Sequence, residues 1–245
     1  MLKSMKARLK SGWLGPPAIA FYRASHTLHR TVTGNDKSVI KKHLAEQPLK
    51  KLQIGCGTHP LDGWLNSDFY PKSKEHIHLD ATKRFPLENG TLDYVYCEHM
   101  IEHINYPSGH SMLKECFRVL KVGGKVRVAT PNLAFLIDLY RPDKSPLQED
   151  YIKAGSEYCN AAIAYDTFVI NNFVRDWGHQ FIYDEKTLRF SLEQAGFEDI
   201  TRFGLSQSND AELKNLEFES RRPPGMLNLE TMTFEGTKKA ATVAR

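Results

Sequence analysis

The stretch Leu52-Gln53-Ile54-Gly55-Cys56-Gly57-Thr58 decides the fold of this 245-residue chain, because an apolar strand runs straight into glycines. A strand that breaks at Gly55 and Gly57 lets a ligand approach the backbone, which a side chain at either position would block. Alone the run is a weak motif, since many strands end in glycine turns, and His59 stands where a third glycine would. Its company downstream strengthens it. Asp68 closes Leu65-Asn66-Ser67-Asp68, Asp80 follows His78-Leu79, and Asp93-Tyr94-Val95-Tyr96-Cys97-Glu98 reads as another strand reaching a polar edge. Three polar strand ends in succession describe one crevice.

Outward from this run, strand signals at 52–55, 64–69, 76–79 and 94–97 precede a helix over 108–121. Met112, Leu113, Cys116, Phe117 and Leu120 form its apolar stripe, with Gly123-Gly124 as its stop. An alternating strand at 125–130 ends at Pro131-Asn132. Asp184 caps a second helix that runs through Leu188 and Leu192 to Gly196, and strand 200–203 follows. A short helix at 36–47 comes before the first strand, and Arg221-Arg222-Pro223-Pro224-Gly225 turns the chain into a last strand at 229–236. This alternation predicts an α/β domain with a mostly parallel sheet and helices covering its faces. The expected organisation is a basic helical arm at 1–49, a domain at 50–238 and a tail at 239–245. The polar-aromatic insertion at 141–182 is too long for a plain connection and reads as a lid.

The formal net charge is +4, but the first 50 residues supply +8, ten Lys/Arg against Asp36 and Glu46, so the remaining 195 carry −4. A nucleic-acid-binding core would hold its positive stripe on the folded body, so no nucleic-acid partner is expected. The arm combines Pro16-Pro17 with an apolar stripe at Ala18, Phe21, Leu28 and Val32. This pattern predicts a docking helix, and weak peripheral membrane contact through its basic charges stays open. Its acid-free opening also fits an organellar transit segment in composition. Cys56, Cys97, Cys116 and Cys159 lack paired metal spacing, no apolar run reaches membrane-spanning length, and the opening residues lack a secretory apolar block. The expectation is a cytoplasmic protein with reduced thiols.

In open parallel sheets, ligands sit beyond the carboxyl ends of the strands, where the strand order switches. A glycine turn followed by acids on the next two strands suits a nucleoside. The Asp68 carboxylate, an acceptor only, can take both ribose hydroxyls, and Asp80 can orient an adenine edge. Each acid taken singly is more often a loop or cap residue; it is their ordered spacing that points to a ligand.

These residues resemble the class I S-adenosylmethionine-dependent methyltransferases, and within them the type 11 branch. The segments that carry the resemblance are LQIGCGT, GWLNSDFYP, LDATKRFPLENGTLDYVYCEHMIEHI, LKECFRVLKVGGKVRVATPN, NNFVRDWGHQFIYDEKTLRFSLEQAGF and LNLETMTFEGTKK. The resemblance implies a Rossmann-like sheet of seven strands with the last antiparallel, and S-adenosyl-L-methionine as cofactor. It further implies that Gly55, Cys56 and Gly57 meet the donor's methionine part and that Asp68 with Phe69 holds the ribose. Asp80 and Ala81 would flank the adenine, and Glu98 and His99 border the sulfonium. One departure is that Gly57 and Asp68 lie only 11 positions apart, so the first crossover helix is expected to shrink to a turn and the donor carboxylate to be held differently.

A sulfonium donor is already activated, so positioning and removal of the acceptor's proton remain for the protein. His179, in Asp176-Trp177-Gly178-His179, and His103 are the candidate catalytic bases, and Asn172, Arg175 and Trp177 are candidate acceptor contacts. Each can equally be a packing or hydrogen-bonding residue. No metal is expected, although His99, Glu102, His103 and His179 are imidazole and carboxylate groups of the kind that bind divalent ions. The reading is O-methylation, or less readily N-methylation, of a small molecule or glycan intermediate. Its rivals are a catalytically silent donor-binding module, a membrane-peripheral quinone or lipid methyltransferase, and a nicotinamide-dependent oxidoreductase.

Overall fold

The computed structural model of the protein describes Arg30 and residues 34–240, so the predicted docking helix with Ala18, Phe21, Leu28 and Val32 lies outside the described residues. Helix α1 (Asn35–Glu46) precedes strands β1 (Lys51–Ile54), β2 (Leu65–Asp68), β3 (Ile77–His78) and β4 (Leu92–Glu98). Helix α2 (Tyr106–Val119), strand β5 (Leu120–Pro131) and helices α3 (Leu133–Leu139), α4 (Pro146–Tyr158), α5 (Asp166–Arg175) and α6 (Glu185–Ala195) follow. Strand β6 (Glu198–Phe203), helix α7 (Met226–Glu230) and strand β7 (Thr231–Thr237) complete the order. The strands form one seven-stranded sheet, β3-β2-β1-β4-β5-β7-β6. Strands β1 to β5 pair in parallel, and β7 runs antiparallel to both β5 and β6. The order reverses between β1 and β4, so their carboxyl ends diverge into a crevice.

Register divides the sheet into two unlike faces. Leu52, Leu65, Val95 and Val126 lie in one row of paired residues, and Ile54, Cys97, Val128 and Phe234 in another. These side chains are buried in the main apolar cluster beneath α2 and α6, with Val39, Ile40 and Leu44 of α1 packed against it. The opposite face presents the row Asn66, Gln53, Tyr96, Arg127 and Glu235. Among the described residues its cover is loop: residues 56–64, and 204–221 with the single turns Ala211–Leu213 and Glu219–Arg221. Trp64, Leu213 and Leu216 pack there against Tyr96.

A loop over a sheet must find partners for its own backbone groups, and the polar row supplies them. Gln53 bonds Leu61 N and His59 O, and Asn66 bonds Leu61 N and O. Arg127, fully buried, donates to both Glu217 oxygens at 2.7 and 3.0 Å, to Glu235 at 2.5 Å and to Gln207 O at 2.8 Å.

Two regions differ most from expectation. Helix α2 starts at Tyr106, capped by the Asn105 side chain, and Gly123-Gly124 do not stop it. The chain is already extended at Leu120, and the glycines form a turn within β5, where Gly123 has φ 84° and a side chain on Gly124 would lie 3.0 Å from Asp93 O. The last strand begins at Thr231, because Met226–Glu230 forms a helical turn. Inside the insertion, α4 and α5 join α3 and Met226 in a separate apolar cluster of Phe135, Leu136, Leu139, Tyr151, Ile152, Val169 and Phe173.

Arg127→Ala leaves Glu217 and Glu235 buried without their shared cation, so stability should fall by about 3–5 kcal/mol. Urea unfolding measures this, and limited proteolysis should then cut within 204–218. A loss below about 1 kcal/mol, the range of exposed ion pairs, would show that the loop cover holds without the arginine.

Candidate functional site

A cavity of about 390 Å³ opens at the carboxyl ends of β1, β2 and β4, lined by Gly55, Asp68, Phe69, Asp80, Ala81, His99 and His103 among others. It thus gathers seven of the residues the sequence singled out. A larger groove of about 850 Å³ runs between α1 and residues 84–88, away from the strand ends and without such a convergence of groups.

The floor is the glycine turn. Gly55 and Gly57 have φ 74° and 52°, backbone that side-chain-bearing residues rarely adopt. At Gly55 a Cβ would also meet Met100 Cγ at 2.6 Å. The turn is clamped by Asp68, whose Oδ2 accepts from Gly57 N at 2.9 Å while Oδ1 accepts from Tyr70 N at 2.7 Å. Each carboxylate oxygen has two acceptor sites, so both keep capacity for a ligand hydroxyl. Cys56 is buried beneath the turn. Burial, reinforced by the Asp68 charge, pushes its thiol up to about 11, so it is an uncharged packing group. Asp80 Oδ1 accepts from Thr82 N and Oγ1 in a local turn that aims the loop along the cavity.

The far wall is built by the His99-Met100-Ile101-Glu102-His103 run. His99 sits at φ 45°, its N–H donating to Ala129 O at 2.8 Å and its Nε2 lying 2.8 Å from Thr231 Oγ1. Its Nδ1 lies 3.4 Å from Oε1 of the fully buried Glu102. The other Glu102 oxygen accepts from Thr130 Oγ1 at 3.0 Å, while Oε1 has no well-formed hydrogen bond. Burial works to raise this carboxyl, yet the His99 contact and the charges of His99 and His103 hold it below the ordinary range.

His103 links two cavities. It lines the first, and its ring centroid is 4.9 Å from that of His179, which lines a second of about 250 Å³ with Leu133, Val174 and Phe181. His179 Nδ1 lies 2.8 Å from Phe173 O, and Glu102 O accepts from Gln180 N and Phe181 N, tying the insertion to the sheet. Burial lowers the His179 pKa from 6.5 despite the opposing Glu102 charge, so its ring is neutral at pH 7. Glu102, His103 and His179 present ligand atoms within 4.8 Å of one another.

Other sequence candidates stand elsewhere. Glu98 is not among the cavity's lining residues; its Oε1 accepts from Phe218 N at 3.1 Å and from Arg221 at 2.6 Å. Asn172 is buried in the insertion, Arg175 is exposed at the end of α5, and Trp177 packs on Phe173, Tyr158 and His179. Met100, Thr130, Thr231, Phe218 and Arg221 were not singled out. Only Met100 had a signal, its place inside the EHMIEH run.

Residues 65–128 match the family model described as "Methyltransferase domain". A ubiquinone biosynthesis O-methyltransferase of Pseudomonas fluorescens is 27% identical over 145 residues, covering 59% of this chain and 49% of that protein. The enzyme of the same name from Pseudomonas savastanoi is 25% identical over the same length. The chain spans about half the length of the curated relatives it matches. Among solved structures, a SAM-dependent methyltransferase of Thermotoga maritima, a possible histamine N-methyltransferase, aligns at 18% identity with a TM-score of 0.47, covering 90% of this chain and 96% of that one. A possible exported protein of Bordetella parapertussis aligns at 15% identity with a TM-score of 0.49, covering 86% and 68%. The matched segment runs from β2 into β5 and includes Asp68, Asp80 and the His99–His103 run, so this part of the chain is similar to a methyltransferase domain.

Proposed function

We propose that the protein transfers the methyl group of S-adenosylmethionine to a hydroxyl oxygen of a small-molecule acceptor, with a glycan hydroxyl as the alternative acceptor of the same chemistry. One observation carries the proposal: a cavity bearing a glycine floor, Asp68 and Asp80 abuts the His103–His179 pair at the edge of the insertion. The oxygen acceptor is further supported by the relatives, which are named for O-methylation.

The donor supplies an electrophilic methyl on a sulfonium with a neutral leaving group. Asp68 takes the ribose hydroxyls on the lone pairs left free by Gly57 and Tyr70, and Asp80 and Ala81 flank the base. His99 and Met100 border the reacting end, and His103 marks the passage toward the acceptor. His179 Nε2 receives the acceptor's proton as the oxygen attacks. Its Nδ1 contact with Phe173 O fits an Nδ1–H tautomer that frees Nε2 for this role. Insertion residues Asn172, Arg175 and Trp177 serve acceptor binding as the lid closes.

Glu102, with a buried oxygen lacking a hydrogen bond and two imidazoles beside it, favours a second reading in which a divalent ion lowers the acceptor's pKa. Under the base reading, chelator-treated protein keeps its turnover. Loss of turnover restored by Mn²⁺ or Zn²⁺ would turn His103 and His179 into ion ligands.

Labelled-methyl transfer to fractionated cell extract, followed by product identification, tests the activity directly, and absence of S-adenosylhomocysteine formation would leave a silent binding module. Asp68→Ala should weaken donor binding roughly hundredfold in calorimetry, since two bonds to a charged acceptor are lost. Unchanged affinity would remove the ribose from Asp68.

His179→Ala should keep donor affinity and lower turnover roughly a hundredfold or more. The wild-type rate should rise with pH through a value below the ordinary histidine 6.5 and level off by neutrality, because the competent form is the neutral ring. An acid limb retained in the variant would assign that titration to another group.

A further inference from the structure

Residues 55–64, between β1 and β2, contain turns and no helix. In sheets of this kind the helix after the first strand commonly turns its positive N-terminus toward the anionic end of a ligand. Here an anion arriving at the glycine turn meets no such dipole, and a cation must come from elsewhere in the chain.

The cation comes from the loop before β7. Phe218 stacks on His59 with ring centroids 4.3 Å apart and planes within 9°, which seats the loop directly on the glycine turn. Its N–H and the Arg221 guanidinium both bond Glu98 Oε1, at 3.1 and 2.6 Å. Glu98 stands where the strands part: Ile54 pairs with Cys97, so Gly55 and Glu98 are the next residues across the opening crevice. The pair is partly open to solvent, with side-chain exposures of 28% for Arg221 and 7% for Glu98.

We infer that Glu98 and Arg221 form the receptor for the amino-acid end of the donor, Arg221 holding its carboxylate and Glu98 its ammonium. The inference rests on the methyl-donor reading above. A zwitterion calls for adjacent groups of both signs, and this pair provides them next to the glycine floor. Both existing bonds fall on Oε1, which leaves Oε2 for the ammonium. Among the described residues Arg221 spends only Nη2, on Glu98, so its remaining donors can fork onto a carboxylate. The neighbouring Arg222 is committed elsewhere, lying over the Trp177 ring at 5.0 Å and 3.6 Å from Glu230. Lys72 is the competing cation, since its charge reaches Cys56 beneath the turn.

Calorimetry with S-adenosylhomocysteine and with methylthioadenosine, which keeps the nucleoside and thioether but lacks the amino-acid end, tests the assignment. Arg221→Ala should weaken S-adenosylhomocysteine roughly ten- to hundredfold while changing methylthioadenosine less than about twofold. The retained methylthioadenosine affinity itself reports an intact fold, and Arg221→Lys should recover part of the loss. Equal weakening of both ligands would reduce Arg221 to a support for the loop. A selective loss in Lys72→Ala instead of Arg221→Ala would move the carboxylate to Lys72. Wild-type protein that binds neither ligand would remove the donor reading and this inference with it.

Discussion

The row of polar side chains across one face of the sheet is the constraint from which the shape of the site follows. Asn66, Gln53, Tyr96, Arg127 and Glu235 lie side by side beneath 56–64 and 204–221, and Gln53, Tyr96, Arg127 and Glu235 are buried. A helix covering this face would spend its backbone groups on itself and leave such side chains unsatisfied, which costs several kcal/mol where a charge is involved. Loops have the complementary need, since their amides and carbonyls lack partners of their own. The two demands meet in Gln53 and Asn66 on the Leu61 region, and in Arg127 on Gln207 and Glu217. Loop cover on this face and helices on the other are therefore one solution. The same solution carries Phe218 and Arg221 to the mouth of the crevice.

The glycine turn shows how a ligand-facing feature rests on backbone geometry. Both Gly55 and Gly57 adopt left-handed backbone, and only Gly55 is also crowded, by the flexible Met100 side chain. Close approach by a ligand is thus a consequence of a turn that the chain needs on its own account. Asp68 has the same double character. Its bonds to Gly57 and Tyr70 hold the turn in shape, and its remaining lone pairs face the cavity. A group that holds the turn while lining the cavity ties the shape of the cavity to local order.

What could be read from the chain before folding was local or periodic. Asp184 and Gly196 bracket α6 as cap and left-handed stop, and the stripe Met112, Leu113 and Cys116 faces the core as its spacing demands. Asp68 and Asp80 meet in one cavity because parallel strands align their carboxyl ends, whereas Glu98 is taken up by Phe218 N and Arg221. Gly123-Gly124 misled because a double glycine serves a turn within a strand as well as a helix stop. The loop cover was illegible for a different reason: Arg127 bonds residues 80, 90 and 108 positions away, and no window along the chain contains such a pairing. Gln53 and Arg127 inside otherwise apolar strands were its only trace. His103 and His179 were each visible, but their contact depends on where the insertion docks.

That docking is set by a second buried carboxylate. Glu230, at the end of α7 and 1% exposed, accepts from the Tyr151 hydroxyl of α4 and has the Arg222 guanidinium 3.6 Å away. Burial and the Glu230 charge push the Tyr151 phenol well up, so it remains a neutral donor across the physiological range. Arg222 also covers the Trp177 ring, and Trp177 and Gly178 turn through φ 54° and 77° to bring His179 onto His103. Consecutive arginines thus join different bodies: Arg221 reaches the crevice through Glu98, and Arg222 reaches the insertion through Trp177 and Glu230. A displacement of the loop at 217–222 moves both contacts together. The crevice and the insertion that carries His179 are therefore joined through two adjacent side chains.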